Sequence, residues 1–414
     1  GENRPEWVYS DIGTMCAGGV TAGIYTTNAA EQCGYIVDHS ESRFYIVENE
    51  EQFDKALKFR KTTPRLEKII VIDMEGLKRF EDPMLMSFDD LLDLGEELHR
   101  REPHLFEKKI EEIGPEDLAV LIYTSGTTGP PKGAMLTQNN LVWMSEALPG
   151  ANPFYDTDET LSFLPLCHIF EQLFTVMVNV RHGGIVHFVE NTDTIMDNMR
   201  EVSPTVAYGV PRIWEKYASG ILIKMSDATW FKRQVFKAAM AIGMKHAEMQ
   251  LGGRSVPFGW RLAYGAAYLA VFRKLKERLG FERVRTAYSG AAPISPDVLK
   301  FFHAIGCKVY MFHKTILLSL IIFKTSSQST FVTCENGYFL PVGFPFLNNT
   351  PLSPPPPANA IPISASRASP GPLTAHPIRA ILKIFCLFPT EEVRRRYFWD
   401  EKIFSSRDSR ACTA

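Results

Sequence analysis

The sequence predicts an α/β fold of the doubly wound type for residues 1–310, with mostly parallel sheets flanked by helices. Short runs rich in β-branched and aromatic residues recur along this part of the chain. Several of these runs are almost wholly apolar, as expected for strands that are buried on both faces of a sheet. Segments with helical periodicity lie between them. This alternation of strand and helix patterns favours layered α/β architecture.

The individual elements follow from these patterns. Six strands are predicted, at Phe44–Val47, Ile69–Ile72, Ala119–Tyr123, Ile185–Val189, Thr205–Tyr208 and Val284–Tyr288. The clearest helix spans Ala266–Leu279, where apolar residues recur at helical spacing and Gly280 follows as a C-terminal cap. Another helix is predicted to begin at Ser295-Pro296, a capping residue followed by a proline at the first helical position.

Residues 311–414 have a different composition. They carry 11 basic and 6 acidic residues, a net charge of +5, whereas residues 1–310 carry 34 basic and 41 acidic, a net charge of −7. They also hold 12 of the 27 prolines, among them Pro354–Pro357. Because no helical or strand period is sustained there, this segment is predicted to be a Pro/Ser-rich, disordered tail. Only Glu391–Arg410 has a weakly helical pattern.

Composition also limits the class of protein. The chain has 45 basic and 47 acidic residues, which argues against a dedicated nucleic-acid binder. Its seven cysteines form no CxxC pair and are interpreted as reduced thiols rather than as disulfides or a zinc site. No signal peptide and no apolar stretch of about 18–20 residues is visible, so we expect a cytoplasmic protein without a membrane span. Oligomeric state cannot be inferred from the sequence.

The segment after the strand at Ala119–Tyr123 is rich in glycine and hydroxyl side chains. Its glycines allow backbone N–H groups to approach an anion, its hydroxyls are donors, and its lysine is a point charge suited to phosphate. The loop therefore predicts a polyphosphate site at a strand end. It is not a Walker A loop, because Pro-Pro-Lys-Gly follows Gly126–Gly129. The predicted phosphate-binding residues are Thr124, Ser125, Gly126, Thr127, Thr128, Gly129 and Lys132.

At this loop the sequence resembles the adenylate-forming acyl-CoA synthetases. The family's Ser/Thr-Gly loop ending in Pro-Lys-Gly matches Tyr123–Gly133 without a mismatch. Leu164–Glu171 (LPLCHIFE) is similar to the second family motif in its long-chain fatty-acid form, and Val206–Lys216 and Tyr288–Ser295 are similar to two more. Upstream, Gly1–Trp7 and Gly23–Thr27 match the family's large N-terminal domain. The resemblance covers about residues 1–310.

The resemblance implies a two-step long-chain fatty-acid–CoA ligase. A fatty-acid carboxylate attacks the α-phosphate of ATP to give acyl-adenylate and pyrophosphate, and the thiol of coenzyme A then displaces AMP. ATP, a fatty acid, coenzyme A and Mg²⁺ are the implied ligands. The implied catalytic residues are Thr128, Lys132 and His168; the implied adenine contacts are Gly290, Ala291 and Ala292; the implied acyl contacts are His168, Tyr208, Gly209, Val210 and Pro211.

Each of these motifs also has a purely structural interpretation. His168 could be a hydrogen-bonded structural histidine, and Glu171 could be the partner of a cation. Tyr208–Arg212 could be a strand end followed by a proline turn, and Gly290–Pro293 could be a tight packing corner. The basic stretch Arg273–Arg278 is typical of a solvated helix face, with peripheral docking on a membrane as the alternative.

The resemblance ends after Tyr310. The family's Tyr-Gly-x-Thr-Glu motif, which supplies an adenine-stacking ring and a Mg²⁺ ligand, has no match from Met311 onward, so the metal ligand is unassigned. We therefore expect residues 1–310 to be a partial adenylation domain, truncated after about residue 310 and without the small C-terminal domain. Residues 311–414 are interpreted as non-family sequence, such as read-through of a non-coding segment. A non-catalytic nucleotide- or lipid-binding remnant, or an inert fragment, is the alternative to a ligase.

Overall fold

The computed structural model describes residues 1–124 and 129–311, with the side chains of residues 150–151 excepted. The helices within these residues are α1 Pro5–Cys16, α2 Ala30–His39, α3 Glu50–Phe59, α4 Phe88–Arg101, α5 Leu105–Glu112, α6 Gln138–Ala151, α7 Ile169–Glu171, α8 Asn179–His182, α9 Ile195–Val202, α10 Pro211–Ser226, α11 Trp230–Leu251, α12 Phe258–Ala267, α13 Arg273–Leu279 and α14 Pro296–Ala304. A 3₁₀ turn lies at Arg60–Thr62. Two π-helical segments, Gln172–Val178 and Tyr268–Phe272, join α7 to α8 and α12 to α13.

The strands form four small sheets. Their bounds are β1 Thr21–Gly23, β2 Phe44–Val47, β3 Lys68–Val71, β4 Leu85–Ser87, β5 Leu118–Thr124, β6 Lys132–Thr137, β7 Glu159–Ser162, β8 Ile185–Phe188, β9 Val206–Gly209, β10 Thr286–Ser289 and β11 Val309–Met311. The sheets are β2-β3-β4, β7-β8, β9-β10-β11 and β1-β5-β6. All pairings are parallel except β5 with β6. The predicted fold class, mostly parallel sheets with helices, is confirmed.

The predicted elements are present with small differences in their bounds. All six strands occur, shifted by at most two residues at either end. The helix predicted at Ala266–Leu279 is the second part of a longer helical segment that begins at Phe258. Gly280 ends it with a left-handed backbone (φ +74°), where a side chain would meet the backbone of Met199. Ser295 caps α14, because its Oγ accepts a hydrogen bond from the N–H of Asp297 (3.3 Å).

One apolar cluster brings several of the sequence motifs together. It contains Val120 and Ile122 of β5, Leu136 of β6, Phe170, Phe174 of the π-helical segment, Tyr208 of β9 and Tyr288 of β10. The hairpin of β5 and β6, which carries the phosphate loop, therefore shares a core with β9 and β10. These two strands lead into the segments Tyr208–Arg212 and Gly290–Pro293. The predictions for residues 312–414, including the disordered tail and the weak helix, lie outside the described residues.

Candidate functional site

The predicted phosphate loop connects two antiparallel strands. β5 ends at Thr124 and β6 begins at Lys132, and these two residues are register partners. Thr124, Gly129 and Lys132 are exposed, and Gly129 has a left-handed backbone (φ +90°) that favours glycine. The predicted contacts Ser125, Gly126, Thr127 and Thr128 lie outside the described residues. The described part of the loop is thus open to solvent.

Helix α2 supports the base of this hairpin. The hydroxyl of Tyr35 donates a hydrogen bond to the carbonyl of Pro131 (3.1 Å), just before β6. Nδ1 of His39 lies 2.8 Å from the hydroxyl of Tyr123 in β5. A Cβ on Gly133 would stand only 3.3 Å from the ring of Tyr123, so the two strands approach each other closely here. No local pattern marks Tyr35 or His39, because they lie 96 and 84 positions from their partners.

The motifs Val206–Lys216 and Tyr288–Ser295 become neighbours at the carboxyl ends of β9 and β10. Tyr208 pairs with Tyr288 and Gly209 with Ser289 in parallel register. The N–H of Gly290 continues the ladder with a bond to the carbonyl of Gly209 (3.2 Å). In open α/β sheets ligands bind beyond the carboxyl ends of the strands, so this edge is the expected place for a ligand. At the end of β9, Val210 is half-buried, and the buried Pro211 starts α10.

The segment Gly290–Ala292 combines a packed residue with two exposed ones. A Cβ at Gly290 would lie 2.5 Å from Cε2 of the buried Phe170, so this position is a tight packing corner, as one of the two interpretations of the motif requires. Ala291 has a left-handed backbone (φ +68°), which is uncommon for a residue other than glycine. Ala291 and Ala292 are exposed and present a small apolar surface. A role of these two alanines at an adenine ring stays a prediction.

His168 caps the start of α7. Its Nδ1 accepts a hydrogen bond from the N–H of Phe170 (3.1 Å), which places the proton of the neutral ring on Nε2. Burial lowers the pKa of His168 and favours this neutral form. The half-buried ring can therefore donate a hydrogen bond from Nε2 to a carboxylate rather than attract it as a cation. The structural interpretation and the predicted carboxylate contact are compatible, since they use different ring nitrogens.

Glu171 is a buried carboxyl group with four hydrogen-bond donors around it. Its Oε1 accepts from Ser162 Oγ (2.7 Å), Thr175 Oγ1 (2.6 Å) and the hydroxyl of Tyr208 (2.8 Å), and its Oε2 accepts from the N–H of Leu164 (3.2 Å). Burial raises the pKa of Glu171 to about 7. Its partners in the described part of the chain are hydroxyls and a backbone N–H, not the cation suggested by the sequence.

Tyr208 lies inside the protein rather than at its surface. Its ring stacks between Phe174 (centroids 4.3 Å apart) and Phe163 (5.9 Å), and its hydroxyl is held by Glu171 and Thr175. Burial and the adjacent Glu171 raise the pKa of this phenol well above its ordinary value, so it remains a hydrogen-bond donor. Tyr208 therefore fixes β9 against the π-helical segment. Its predicted contact with an acyl group stays a prediction.

Asn3 ties the N-terminal segment to the motif that contains His168. Its side-chain amide donates to Ser162 Oγ (2.8 Å) and to the carbonyl of Leu164 (2.6 Å), and its Oδ1 accepts from the N–H of Leu166 (3.3 Å). The side chain is buried. Asn3 was covered by the family resemblance but had no predicted role. A polar residue near Arg4-Pro5 gave no local signal of contacts 159–163 positions away.

Metal and disulfide sites are not seen in the described residues. Within residues 1–124 and 129–311, no group of three or more His, Cys, Asp or Glu side chains could hold a metal ion. The Mg²⁺ ligand therefore stays unassigned. The four cysteines in these ranges are buried, and no disulfide joins them: Cys16, Cys33, Cys167 and Cys307.

Comparison with known proteins identifies the family. Residues 1–313 match the family described as AMP-binding enzyme. The chain belongs to this family. It is 35% identical over 319 residues to the long-chain-fatty-acid–CoA ligase ACSBG2 of Gallus gallus, covering 75% of this chain and 41% of that protein. For ACSBG2 of Homo sapiens the identity is 34% over 314 residues, covering 75% and 46%. The chain thus spans less than half the length of these relatives.

Solved structures also resemble this chain. One is the A-PCP didomain of a carboxylic acid reductase from Segniliparus rugosus in complex with AMP, with 20% identity and a TM-score of 0.48 over 76% of this chain and 41% of that chain. Another is the anthranilate CoA ligase AuaEII in complex with anthranoyl-AMP, with 16% identity and a TM-score of 0.48 over 76% and 49%.

Proposed function

We propose that this chain carries the adenylate-forming part of a long-chain fatty-acid–CoA ligase. The carboxylate of a fatty acid would attack the α-phosphate of ATP, forming acyl-adenylate and releasing pyrophosphate. The observation that carries the proposal is the convergence of the family motifs: the hairpin of β5 and β6, the segment at His168–Glu171 and the ends of β9 and β10 share one core. The names of the relatives supply the fatty acid and coenzyme A.

The residues have distinct proposed roles. The loop from Thr124 to Gly129 and the exposed ammonium of Lys132 would hold the phosphates, since backbone N–H groups and a lysine suit a polyphosphate. Ala291 and Ala292 would lie against the adenine. His168 would orient the fatty-acid carboxylate through Nε2–H. These groups bring two anions together and reduce their repulsion, which is the main requirement of the first step.

No described residues are assigned to the other two implied ligands, Mg²⁺ and coenzyme A. Mg²⁺ would offset phosphate charge, but the described residues present no donor cluster for it, so no step is assigned through the metal. Coenzyme A is proposed from the relatives alone: its thiol would displace AMP and form the thioester. We propose residues 1–310 as the adenylation domain and residues 311–414 as a tail outside it, except that Met311 is the last residue of β11 and belongs to the sheet.

Fatty-acid-dependent exchange of radioactive pyrophosphate into ATP tests the first step directly. Palmitate would be the acid, and the 414-residue chain would be compared with a variant in which Thr127→Ala and Thr128→Ala are combined. We expect palmitate-dependent exchange by the wild type and a loss on the order of 10²-fold in the variant, since loop donors act on developing charge.

A second double variant controls for loss of hydroxyl groups in general. Thr157→Ala with Thr192→Ala removes two exposed threonines outside the motifs and should leave exchange unchanged. Absence of exchange from a folded wild-type sample that still binds ATP would reject the ligase proposal in favour of a nucleotide-binding role. Absence of both would reject both functions.

A further inference from the structure

Helix α12 and the π-helical segment after it are apolar on two sides. Residues 256–272 contain one charged residue, Arg261, and no acidic residue. One side packs on α11, where Tyr264 stacks on His246 (centroids 4.0 Å apart) and Phe272 is fully buried. A helix that is apolar all round is normally covered all round, in a protein core or by lipid. The second side of α12 has no such cover among the described residues.

The uncovered side is a stripe of three large side chains. Phe258 is 81% exposed, and Leu262 and Leu269 are each 68% exposed. Their spacing of four and seven residues places them on one face of the helix. At a rise of about 1.5 Å per residue, the stripe is roughly 16 Å long. We call these three residues the α12 stripe.

Basic residues lie before, within and after the α12 stripe in the sequence. Residues 251–279 contain six basic residues and one acidic residue, Glu277, a net charge of +5 in a chain whose net charge is −2. Arg254, Arg261 and Arg273 are exposed, and within the described part of the chain none of them lies in a salt bridge. An apolar stripe accompanied by exposed arginines is complementary to a lipid surface, which is apolar inside and anionic at its boundary.

We propose that the α12 stripe docks on an anionic phospholipid surface. The helix would lie in the plane of the interface, with Phe258, Leu262 and Leu269 among the acyl chains and the three arginines at the lipid phosphates. No helix among the described residues is long and apolar enough to cross a membrane. Peripheral docking was the alternative interpretation of the basic stretch at 273–278, and the proposal assigns it to a defined surface. It does not depend on the adenylation chemistry.

A second copy of the chain is a less suitable occupant. Two α12 stripes facing each other across a two-fold axis would bring two sets of exposed arginines, Arg254, Arg261 and Arg273, together, and like charges in close contact oppose association. An anionic lipid surface instead neutralises those charges. Dimerisation through this face is therefore an outcome that the experiment must be able to detect.

Co-sedimentation with lipid vesicles tests the proposal without ATP or fatty acid. The whole 414-residue chain would be mixed with vesicles of phosphatidylcholine alone or with about 30% phosphatidylserine. We expect binding to the anionic vesicles only, weakened by added salt. Combining Phe258→Ala, Leu262→Ala and Leu269→Ala should lower the partition coefficient at least about tenfold. Combining R254Q, R261Q and R273Q should lower it on the order of a hundredfold.

A matched control uses exposed leucines on an acidic helix. Leu92, Leu94 and Leu98 of α4 are 48%, 50% and 38% exposed, and five of the fourteen residues of α4 are acidic. Replacing these three leucines with alanine should leave binding unchanged. Equal circular dichroism spectra and unfolding midpoints would show that all variants are folded.

Three results would overturn the proposal. The first is absence of wild-type binding to anionic vesicles, and the second is equal loss of binding in the α4 control and the α12 variant. The third is a dimer, measured by light scattering, that the α12 substitutions convert to a monomer while vesicle binding persists. Since no nucleotide is present, failure here leaves the proposed ligase activity untouched.

Discussion

The buried carboxyl group of Glu171 should make the stability of the protein depend on pH. Burial raises its pKa from the ordinary value of 4.5 to about 7. Below pH 4.5 the group is protonated in the folded and unfolded states and has no effect. Between pH 4.5 and 7 the unfolded chain releases this proton while the folded protein keeps it, so the free energy of unfolding falls as the pH rises. Above pH 7 the loss is complete.

The size of this effect follows from the two pKa values. The interval between 4.5 and about 7 corresponds to about 3 kcal/mol of stability lost at pH 8 relative to pH 4.5. Glu171→Gln removes the titration. A glutamine keeps one oxygen for the hydroxyls of Ser162, Thr175 and Tyr208, but its NH₂ group then faces the N–H of Leu164. That unpaired donor costs about 1–3 kcal/mol at every pH.

The wild type should therefore be more stable than E171Q at pH 5, and this advantage should shrink or reverse by pH 8. Urea unfolding followed by far-ultraviolet circular dichroism at pH 5, 6, 7 and 8 measures the difference between the two proteins. Other titrating groups are common to both and cancel in that difference. E190Q is a suitable control, because Glu190 is exposed, and its difference from wild type should be the same at all four values.

A constant difference between wild type and E171Q across this pH range would refute the reasoning. It would mean that the carboxyl group is ionised in the folded protein throughout, with water or a cation stabilising it. A difference that grows with pH would show that the folded state favours the ionised form.

Three further substitutions test separate contacts. Gly290→Ala should lower stability by about 1–3 kcal/mol, since the added Cβ would overlap the fixed ring of Phe170; an unchanged urea midpoint would contradict that packing. Asn3→Ala removes three hydrogen bonds to the segment before His168 and should cost about 1–3 kcal/mol, measured in the same assay. Tyr35→Phe removes the hydrogen bond to Pro131 and should weaken ATP binding about fivefold in calorimetry, whereas unchanged affinity would show that α2 does not position the loop.

Local patterns in the sequence were sufficient for the family and for six of the eleven strands in the described residues. Strand β2 is marked by an unbroken run of β-branched and aromatic residues, and the caps at Gly280 and Ser295 depend on residues next to them. The phosphate loop is a contiguous segment, so its residue types predict a polyphosphate site without knowledge of any tertiary contact. The antiparallel pairing of β5 with β6 follows from a hairpin around that loop, which no periodicity alone predicts.

Only the tertiary structure decided which side chains meet. Glu171 and Tyr208 lie 37 positions apart, and whether that carboxyl faces a cation or hydroxyls depends on how β9 packs against the π-helical segment. Asn3 reaches across 159–163 positions, and α2 reaches the loop across about ninety. The exposure of one side of α12 is likewise a property of packing, since its sequence is apolar on both sides. The sequence thus determined the local elements and the chemistry of the loop, whereas pKa values, buried networks and open surfaces arise from contacts that exist only once distant segments have packed together.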